Sequence, residues 1–307
     1  MSIDELLLGK FSGDGRVKRF REHVAAICHK FIELGLSSPN FETQLSDDTK
    51  FWECVSEALL ANHLYALGLS PLASRRGNGP DLLVMDDENK IWIEVTCPKP
   101  EKISQGWLNP QGSAFALPDE EILLRWTSAI KKKTEKLLGK TNGSGERISG
   151  YLEKGVVGQN DAYVIAVNGR QLRSPGFSSL NGVSGYPFAV QAVLAVGPFE
   201  VTLNRDTLEQ IEAGYGYRPF VNNGNGSPVP TDMFLCPEFS SVSAIWAVDI
   251  DGSAAIGNRE PMVVVHNPYA DNRIQVGVLP AQKEYVARII PGEGYTLEEL
   301  DGCLMGI

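Results

Sequence analysis

Two acidic residues at the ends of a short apolar hairpin are the side chains of this sequence best placed for chemistry. Asp81 follows Gly79-Pro80 at the head of one apolar run, and Glu94 lies thirteen residues later, within the run Trp92–Val95. A residue that opens one strand of an antiparallel pair lies close to a residue that closes the other strand. We therefore predict that the carboxylates of Asp81 and Glu94 converge at one end of this hairpin.

A third carboxylate comes from a predicted helix that precedes the hairpin. Glu57 falls on the helix predicted for Thr49–Leu67, which ends at Gly68. Three converging carboxylates would repel one another, and Mg²⁺ would relieve that repulsion because it prefers carboxylate oxygens and water as ligands. Such an ion activates water and neutralises the charge that develops on a phosphodiester. We expect Glu57, Asp81 and Glu94 to be ligands of Mg²⁺, with Mn²⁺ as the alternative ion.

Each of these acidic residues also has a purely structural interpretation. Asp is common in the turn before a strand, which would account for Asp81. Glu57 could equally lie on a solvated helix face. A glutamate between Ile93 and Val95 in a strand is harder to explain in this way, because it must either reach solvent or line a cleft.

The composition of the 307-residue chain argues against several classes of protein. With 43% hydrophobic and 21% charged residues, it is typical of a globular protein. Its apolar runs are shorter than the roughly 20 residues of a membrane helix. The acidic N-terminus has no signal-peptide pattern, so we expect a cytoplasmic protein with no membrane partner. The five cysteines form no CxxC pair and the four histidines no HExxH motif, which argues against a zinc site.

The charge of the chain is unevenly distributed. Its formal net charge of −10 argues against a protein that coats nucleic acid indiscriminately. The segment 125–154 nevertheless has eight basic and three acidic residues, so its charge is +5 and the remainder carries −15. Arg75 and Arg76 lie just before Asp81. We predict that these arginines, with Lys131 and Lys132, bind nucleic-acid phosphates, although a lysine run is also typical of a solvated helix face.

Periodicity places these residues in a mixed α/β pattern. Apolar residues spaced three or four apart predict amphipathic helices at Val17–Leu34 and Glu120–Leu138. Short apolar runs predict strands at Leu82–Met85, Ile91–Val95, Ala162–Val167, Ala189–Val196, Glu200–Leu203, Ser243–Asp249, Pro261–His266 and Gln275–Leu279. Segments rich in Gly, Pro, Ser and Asn predict surface loops at Gln171–Tyr186 and Gly214–Pro230. This order of elements favours helices around a central sheet.

From Phe51 to Asn168 the sequence resembles the PD-(D/E)XK nuclease superfamily, which has the restriction-endonuclease-like fold. Pro80-Asp81 matches the PD element, and Glu94 lies where the (D/E)XK element is expected. Glu57 is similar in position to the helical glutamate of archaeal resolvase-type members. The resemblance implies that these acidic residues hold one or two Mg²⁺ ions at a phosphodiester bond.

The motif lysine of that family is missing from its usual position. It would lie two residues after Glu94, where this sequence has Thr96. A threonine hydroxyl carries no positive charge to orient water or to stabilise the transition state. Lys99, or else Lys131 or Lys132 on the following helix, is the candidate for this catalytic role. A lysine-free active site and an inactive site are the alternatives.

We therefore expect an α/β protein with a restriction-endonuclease-like central mixed β-sheet flanked by helices, and with N-terminal helical and C-terminal β-rich extensions. The predicted domains are a helical extension (1–48), a nuclease-like core (49–170), and a loop-rich and β-rich elaboration packed on that core (171–307). The expected function is metal-dependent, endonuclease-like hydrolysis of nucleic acid, with DNA as the favoured substrate and a homodimer left open. The alternative is a catalytically degenerate protein of the same fold that binds nucleic acid or protein.

Overall fold

The computed structural model describes residues 2–73, 79–112, 116–174, 177, 180–250 and 258–304, and its centre is an eight-stranded mixed sheet. The strands are β1 (Leu72–Ala73), β2 (Leu82–Asp86), β3 (Asn89–Thr96), β4 (Lys140–Thr141), β5 (Arg147–Ile148), β6 (Ala162–Asn168), β7 (Val196–Leu203), β8 (Gln210–Tyr217), β9 (Phe220–Asn222), β10 (Pro228–Pro230), β11 (Ala244–Val248), β12 (Met262–His266), β13 (Lys283–Ile290) and β14 (Gly294–Asp301). The helices are α1 (Ile3–Lys10), α2 (Arg16–Glu33), α3 (Phe41–Ser46), α4 (Phe51–Ala66), α5 (Gln105–Leu108), α6 (Asp119–Leu138) and α7 (Phe188–Leu194).

The strand order of the central sheet is β1-β2-β3-β6-β11-β12-β13-β14. Strand β2 pairs antiparallel with β1 and β3, whereas β3 is parallel to β6 and β6 is parallel to β11. The β11–β12 and β13–β14 pairs are antiparallel, and β12 and β13 are parallel. The carboxyl ends of β3, β6 and β11 therefore lie along the same edge of the sheet.

Each central strand contributes to two hydrophobic cores, because successive side chains point to opposite faces of a sheet. On one face, Ile91 and Ile93 of β3 pack in a core with helices α1 to α4. On the other face, Tyr163 and Ile165 of β6 pack in a core with α6 and α7. Glu94 alternates with Ile93 and so lies on this second face, towards α6.

Most of the predicted elements around the centre of the sheet are confirmed. The predicted helices correspond to α2, α4 and α6, and the predicted hairpin to β2 and β3, joined by a turn at Asp87-Glu88. The mixed α/β class with a large central sheet between helices is confirmed as well. Strands β11 to β14 extend the sheet that β1, β2, β3 and β6 begin, while the domain boundaries near residues 48 and 170 stay predictions.

Three of the predicted segments are wrong. Residues 189–194 belong to helix α7 rather than to a strand; every residue of α7 is buried, and a run that is apolar on all sides does not distinguish helix from strand. Gln275–Leu279 contains turns and no strand. The predicted loop Gly214–Pro230 holds the end of β8 together with β9 and β10.

The paired strands β13 and β14 form the far end of the sheet, and neither of them was predicted from a sequence pattern. None of the described helices is both long and apolar enough to cross a membrane.

Candidate active site

The β2–β3 hairpin brings Asp81 beside the end of β3. Leu82 is the pairing partner of Ile93, so the residue before β2 lies next to Glu94 and Val95. The backbone N–H of Val95 donates a hydrogen bond of 2.6 Å to Asp81 Oδ2. This bond fixes the half-buried carboxylate against the strand that carries Glu94, as the hairpin pattern predicts.

Glu94 is fully buried and is paired with two lysines of α6. Its Oε1 accepts hydrogen bonds of 2.7 Å from both Lys133 Nζ and Lys136 Nζ, and its exposed fraction is 0%. The Tyr151 hydroxyl lies 3.3 Å from Glu94 Oε2 and 3.3 Å from the Gly79 carbonyl oxygen. A buried carboxylate is costly unless it is paired and hydrogen-bonded, so α6 provides the charge that lets β3 carry a glutamate.

Glu57 lies on helix α4, and its pKa responds to the charges of Asp81 and Glu94. Burial raises the pKa of Glu57 to about 8, and the negative charge of Asp81 adds to the rise, with a smaller contribution from Glu94. Burial likewise raises the pKa of Asp81 to about 6, again with a contribution from the charge of Glu94. Asp81 lies beside the strand that carries Glu94, and the charges of both carboxylates act on Glu57 of α4. We call Glu57, Asp81 and Glu94 the carboxylate cluster.

Lys133 is the lysine most closely coupled to the carboxylate cluster. Burial alone would lower the pKa of Lys133, but the charges of Glu94 and Asp81 outweigh that effect and raise it. The Lys133 ammonium is therefore charged throughout the physiological range. The positive charge of Lys133 also lowers the pKa values of Glu57 and Asp81, and so limits the rise that burial causes.

The donor atoms of the carboxylate cluster suit a hard divalent cation. Such an ion prefers carboxylate oxygens, and burial, together with the charges of neighbouring carboxylates, raises the pKa values of Glu57 and Asp81. Within the described ranges, however, no group of three His, Cys, Asp or Glu side chains has the arrangement of a metal site. The oxygen donors thus suit a cation although their arrangement is not that of a formed metal site, and Glu57, Asp81 and Glu94 are the residues that would hold the ion.

Several predicted site residues do not join the cluster. Lys99 is exposed in the segment after β3, and its charge acts on Asp47, whose pKa is lowered mainly by hydrogen bonds from Thr49. Lys131 and Lys132 are exposed on the outer side of α6. The side chains that contact Glu94 are instead Lys133 and Lys136, and a catalytic role for Lys99, Lys131 or Lys132 stays a prediction. Arg75 and Arg76 lie outside the described residues.

The sequence does contain a signal for the lysine that was missed. Lys133 lies three residues after Ile130 and four before Leu137, both of which are buried. It therefore falls on the apolar stripe of α6 that faces the sheet, whereas Lys131 and Lys132 point away. A lysine on an apolar stripe predicts a buried acidic partner. The contribution of Tyr151, from the loop between β5 and β6, has no comparable signal.

No protein-family model, curated protein or solved structure gives a significant match to this chain. Its function must therefore be argued from the chemistry of its own residues. The carboxylate cluster and the two lysines of α6 are the group that bears most directly on that question.

Proposed function

We propose that this protein hydrolyses nucleic-acid phosphodiester bonds, with DNA as the expected substrate, in a reaction that depends on Mg²⁺ or Mn²⁺. The observation that carries the proposal is the buried Glu94, with Asp81 held against the same strand and the Lys133 ammonium at 2.7 Å, while the charges of both carboxylates act on Glu57 of α4. The succession of α4, β1–β3, α6 and β6 also supports a restriction-endonuclease-like core. We include that fold in the proposal.

Each side chain of the site has a distinct role in this proposal. The carboxylate cluster would hold the divalent cation, which when bound supplies a Lewis acid that activates water and neutralises phosphodiester charge. Lys133 provides the positive charge that Thr96 cannot, from α6 rather than from β3. An ammonium fixed beside the reacting phosphate stabilises negative charge that grows in the transition state. Lys133 therefore replaces Lys99 as the proposed catalytic lysine.

The charge around α6 suits a phosphate-rich substrate. Lys131, Lys132 and Lys140 are exposed on or beside this helix, and the segment 125–154 has a charge of +5 in a chain of −10. Phosphate contacts from lysines position a nucleic acid without reading its sequence. A localised basic surface next to an acidic site would attract the nucleic-acid phosphate backbone to that site, while the rest of the acidic protein surface would repel it.

A cleavage assay with matched carboxamide variants tests this function. Purified full-length protein is incubated with supercoiled plasmid, linear duplex DNA, single-stranded DNA and RNA, in Mg²⁺, Mn²⁺ or chelator. We expect metal-dependent cleavage that falls by at least about 100-fold in Asp81→Asn and in Glu94→Gln, because each removes a charge on which the site depends. Asp86→Asn is the matched control, since Asp86 lies at the opposite end of the same strand.

Two outcomes would contradict the proposal. The first is that no substrate is cut by wild-type protein in either metal. The second is that cleavage occurs but Asp81→Asn and Glu94→Gln retain the rate of Asp86→Asn, which would place the reaction at another site.

One observation favours a second candidate function, a degenerate nuclease fold that binds nucleic acid or protein without cleaving it. Oxygen Oε1 of Glu94 already accepts hydrogen bonds from two ammonium groups, so this carboxylate is neutralised without a metal. Binding of the same DNA substrates without cleavage, with an affinity indifferent to Mg²⁺, Mn²⁺ or chelator, would select this function over the first.

A further inference from the structure

A two-stranded ribbon projects from the body of the protein. It consists of β7, β8 and the turn between them, residues 196–217, paired antiparallel with Phe199 opposite Tyr215 and Val201 opposite Ala213. From Pro198 to Ala213 every residue except Asn204 is exposed, on both faces of the ribbon. The ribbon is held at its base, where the backbone N–H of Ala195 donates to the Thr231 carbonyl and the Ala195 carbonyl accepts from the Arg218 N–H.

The two faces of the ribbon differ in chemistry. Because side chains alternate along a strand and paired residues share a face, one face carries mainly apolar and aromatic side chains. These are Phe199, Val201, Leu203, Ala213, Tyr215 and Tyr217, with the uncharged Gln210 opposite Leu203 next to the turn. The other face carries Glu200, Thr202 and Glu212 with two glycines. We call the first of these the apolar face of the ribbon.

The apolar face is too exposed for a hairpin that stands alone. Val201 is 49% exposed, Leu203 50% and Tyr217 66%. Leu208 in the turn and Ile211 at the bulge are exposed by 73% and 66%. An isolated two-stranded hairpin is marginally stable in water, and it normally needs a further element against its apolar side. Near the base of this face Tyr186 packs its ring against Tyr215, and Tyr215 and Tyr217 line a cavity with Tyr295 and Leu297 of β14.

We propose that the apolar face of the ribbon is covered by the same face of a second copy of this chain. A patch that meets itself across a two-fold axis must be complementary to itself, and a largely apolar face without charged residues satisfies this without matching charges. The five large side chains of this face, with Leu208 and Ile211 at and beside the turn, are exposed by 48% to 73% and offer on the order of 700 Å². That area is close to the roughly 800 Å² per partner of a stable, specific interface.

The charges of the ribbon favour a protein occupant over a nucleic acid or an anionic membrane. Glu200, Asp206, Glu209 and Glu212 outnumber Arg205, so the ribbon has a net charge of −3. Phosphate backbones and acidic lipid surfaces would be repelled. In a two-fold pair Glu200 and Glu212 lie on the outer faces, where water solvates them, so dimerisation buries neither.

Sedimentation equilibrium of the full chain, with one matched pair of variants, tests the proposal. Over protein concentrations from about 1 to 100 µM, we expect the wild type to reach twice the mass of one chain. Val201→Lys places a charge in the centre of the apolar face of both copies, and we expect it to raise the dimer dissociation constant by about 100-fold or more. Thr202→Lys adds the same charge to the same strand on the other face and should leave the constant unchanged within about threefold.

Each alternative outcome overturns the proposal. A wild type that stays at the mass of one chain excludes the dimer, and a dimer that Val201→Lys does not weaken places the interface elsewhere. Monomeric protein that floats with phosphatidylcholine–phosphatidylserine vesicles would assign the face to a membrane instead. Circular dichroism and thermal unfolding of both variants separate loss of the dimer from loss of the fold.

Discussion

At the scale of single residues, Glu94 is the position on which the candidate site depends. A fully buried carboxylate in a central strand is destabilising unless its charge is matched. Lys133 and Lys136 meet that requirement from one helix, both at 2.7 Å from the same oxygen. Because of this pairing, we expect Lys133 to stabilise the fold in addition to its proposed catalytic role.

Replacement of Lys133 by methionine tests this dependence. Lys133→Met leaves Glu94 with Lys136 alone, and we expect the free energy of unfolding to fall by about 3 kcal/mol, the lower end for breaking a buried pair. Lys132→Met, one residue away on the exposed side of α6, should change it by less than about 0.5 kcal/mol. Urea unfolding of the two variants gives both values. A similar loss in the two variants would refute the assignment of Lys133 to Glu94.

At the scale of elements, local signals predicted the hairpin and the long helices, and failed where packing decides. The hairpin follows from two apolar runs around a polar turn, and α6 from spacing around Trp126 and Ile130. Helix α7 is buried on every side, so its sequence has no solvent face to reveal the helical period. The pairing of β6 with β11 joins strands about 80 residues apart, and no local pattern specifies such a contact.

The prediction of the candidate site was limited in the same way, because local patterns do not show how elements pack. Asp81, Glu94 and Glu57 could be predicted because each has a local pattern of spacing or alternation. The lysine could not be assigned by sequence proximity, because the rotation of α6 over the sheet decides which side chain reaches Glu94. Lys99 is nearer to Glu94 in sequence and is exposed, whereas Lys133 is 39 residues away and in contact.

A second buried carboxylate joins the N-terminal helices to the sheet. Glu260, just before β12, lies 2.6 Å from His23 Nε2 on α2 and 3.3 Å from His63 Nε2 on α4. Burial alone would raise the pKa of Glu260, but the hydrogen bonds and charges of these histidines lower it to about 2. Its contribution to stability is therefore complete above its unfolded pKa of roughly 4.3 and is lost as the pH falls towards 2.

Replacement of this glutamate tests the connection between the elements. We expect Glu260→Gln to lower the free energy of unfolding by about 3 kcal/mol at pH 5 and by much less near pH 2, because the wild type loses the same charge there. Glu22→Gln removes an exposed carboxylate from α2, beside His23, and serves as the control. Thermal unfolding across this range measures the difference. An equal loss of unfolding free energy at both pH values would show that the charge of Glu260 does not stabilise its contact with helices α2 and α4.

At the scale of the whole molecule, the net charge of −10 and the carboxylate cluster both make the folded protein less stable as the pH rises. Deprotonation at rising pH adds negative charge to a chain that already has an excess of it, and a compact acidic protein is destabilised by such self-repulsion. Within the cluster the effect is strongest, because burial and the neighbouring acidic groups disfavour each ionised carboxylate. A cation bound at the cluster would offset both effects.

The pH dependence of global unfolding therefore reports on the cluster. The pKa values of Glu57 and Asp81, about 8 and about 6 in the folded protein, lie above those of roughly 4.3 and 3.9 in an unfolded chain. The folded state thus binds more protons than the unfolded state between about pH 4 and 8, so stability falls as the pH rises through this window. The slope is at most about 1.4 kcal/mol per pH unit for each group.

Glu57→Gln should remove most of that slope between pH 6 and 8 and make the variant more stable than the wild type at pH 8. Millimolar Mg²⁺ should raise the wild-type melting temperature more at pH 8 than at pH 5, because a cation bound to the folded state alone stabilises it and binds best to ionised carboxylates. Glu42→Gln, on the exposed face of α3, should retain both responses. A wild-type slope that survives in Glu57→Gln would separate Glu57 from the cluster, and a melting temperature indifferent to Mg²⁺ at pH 8 would favour the degenerate binding function.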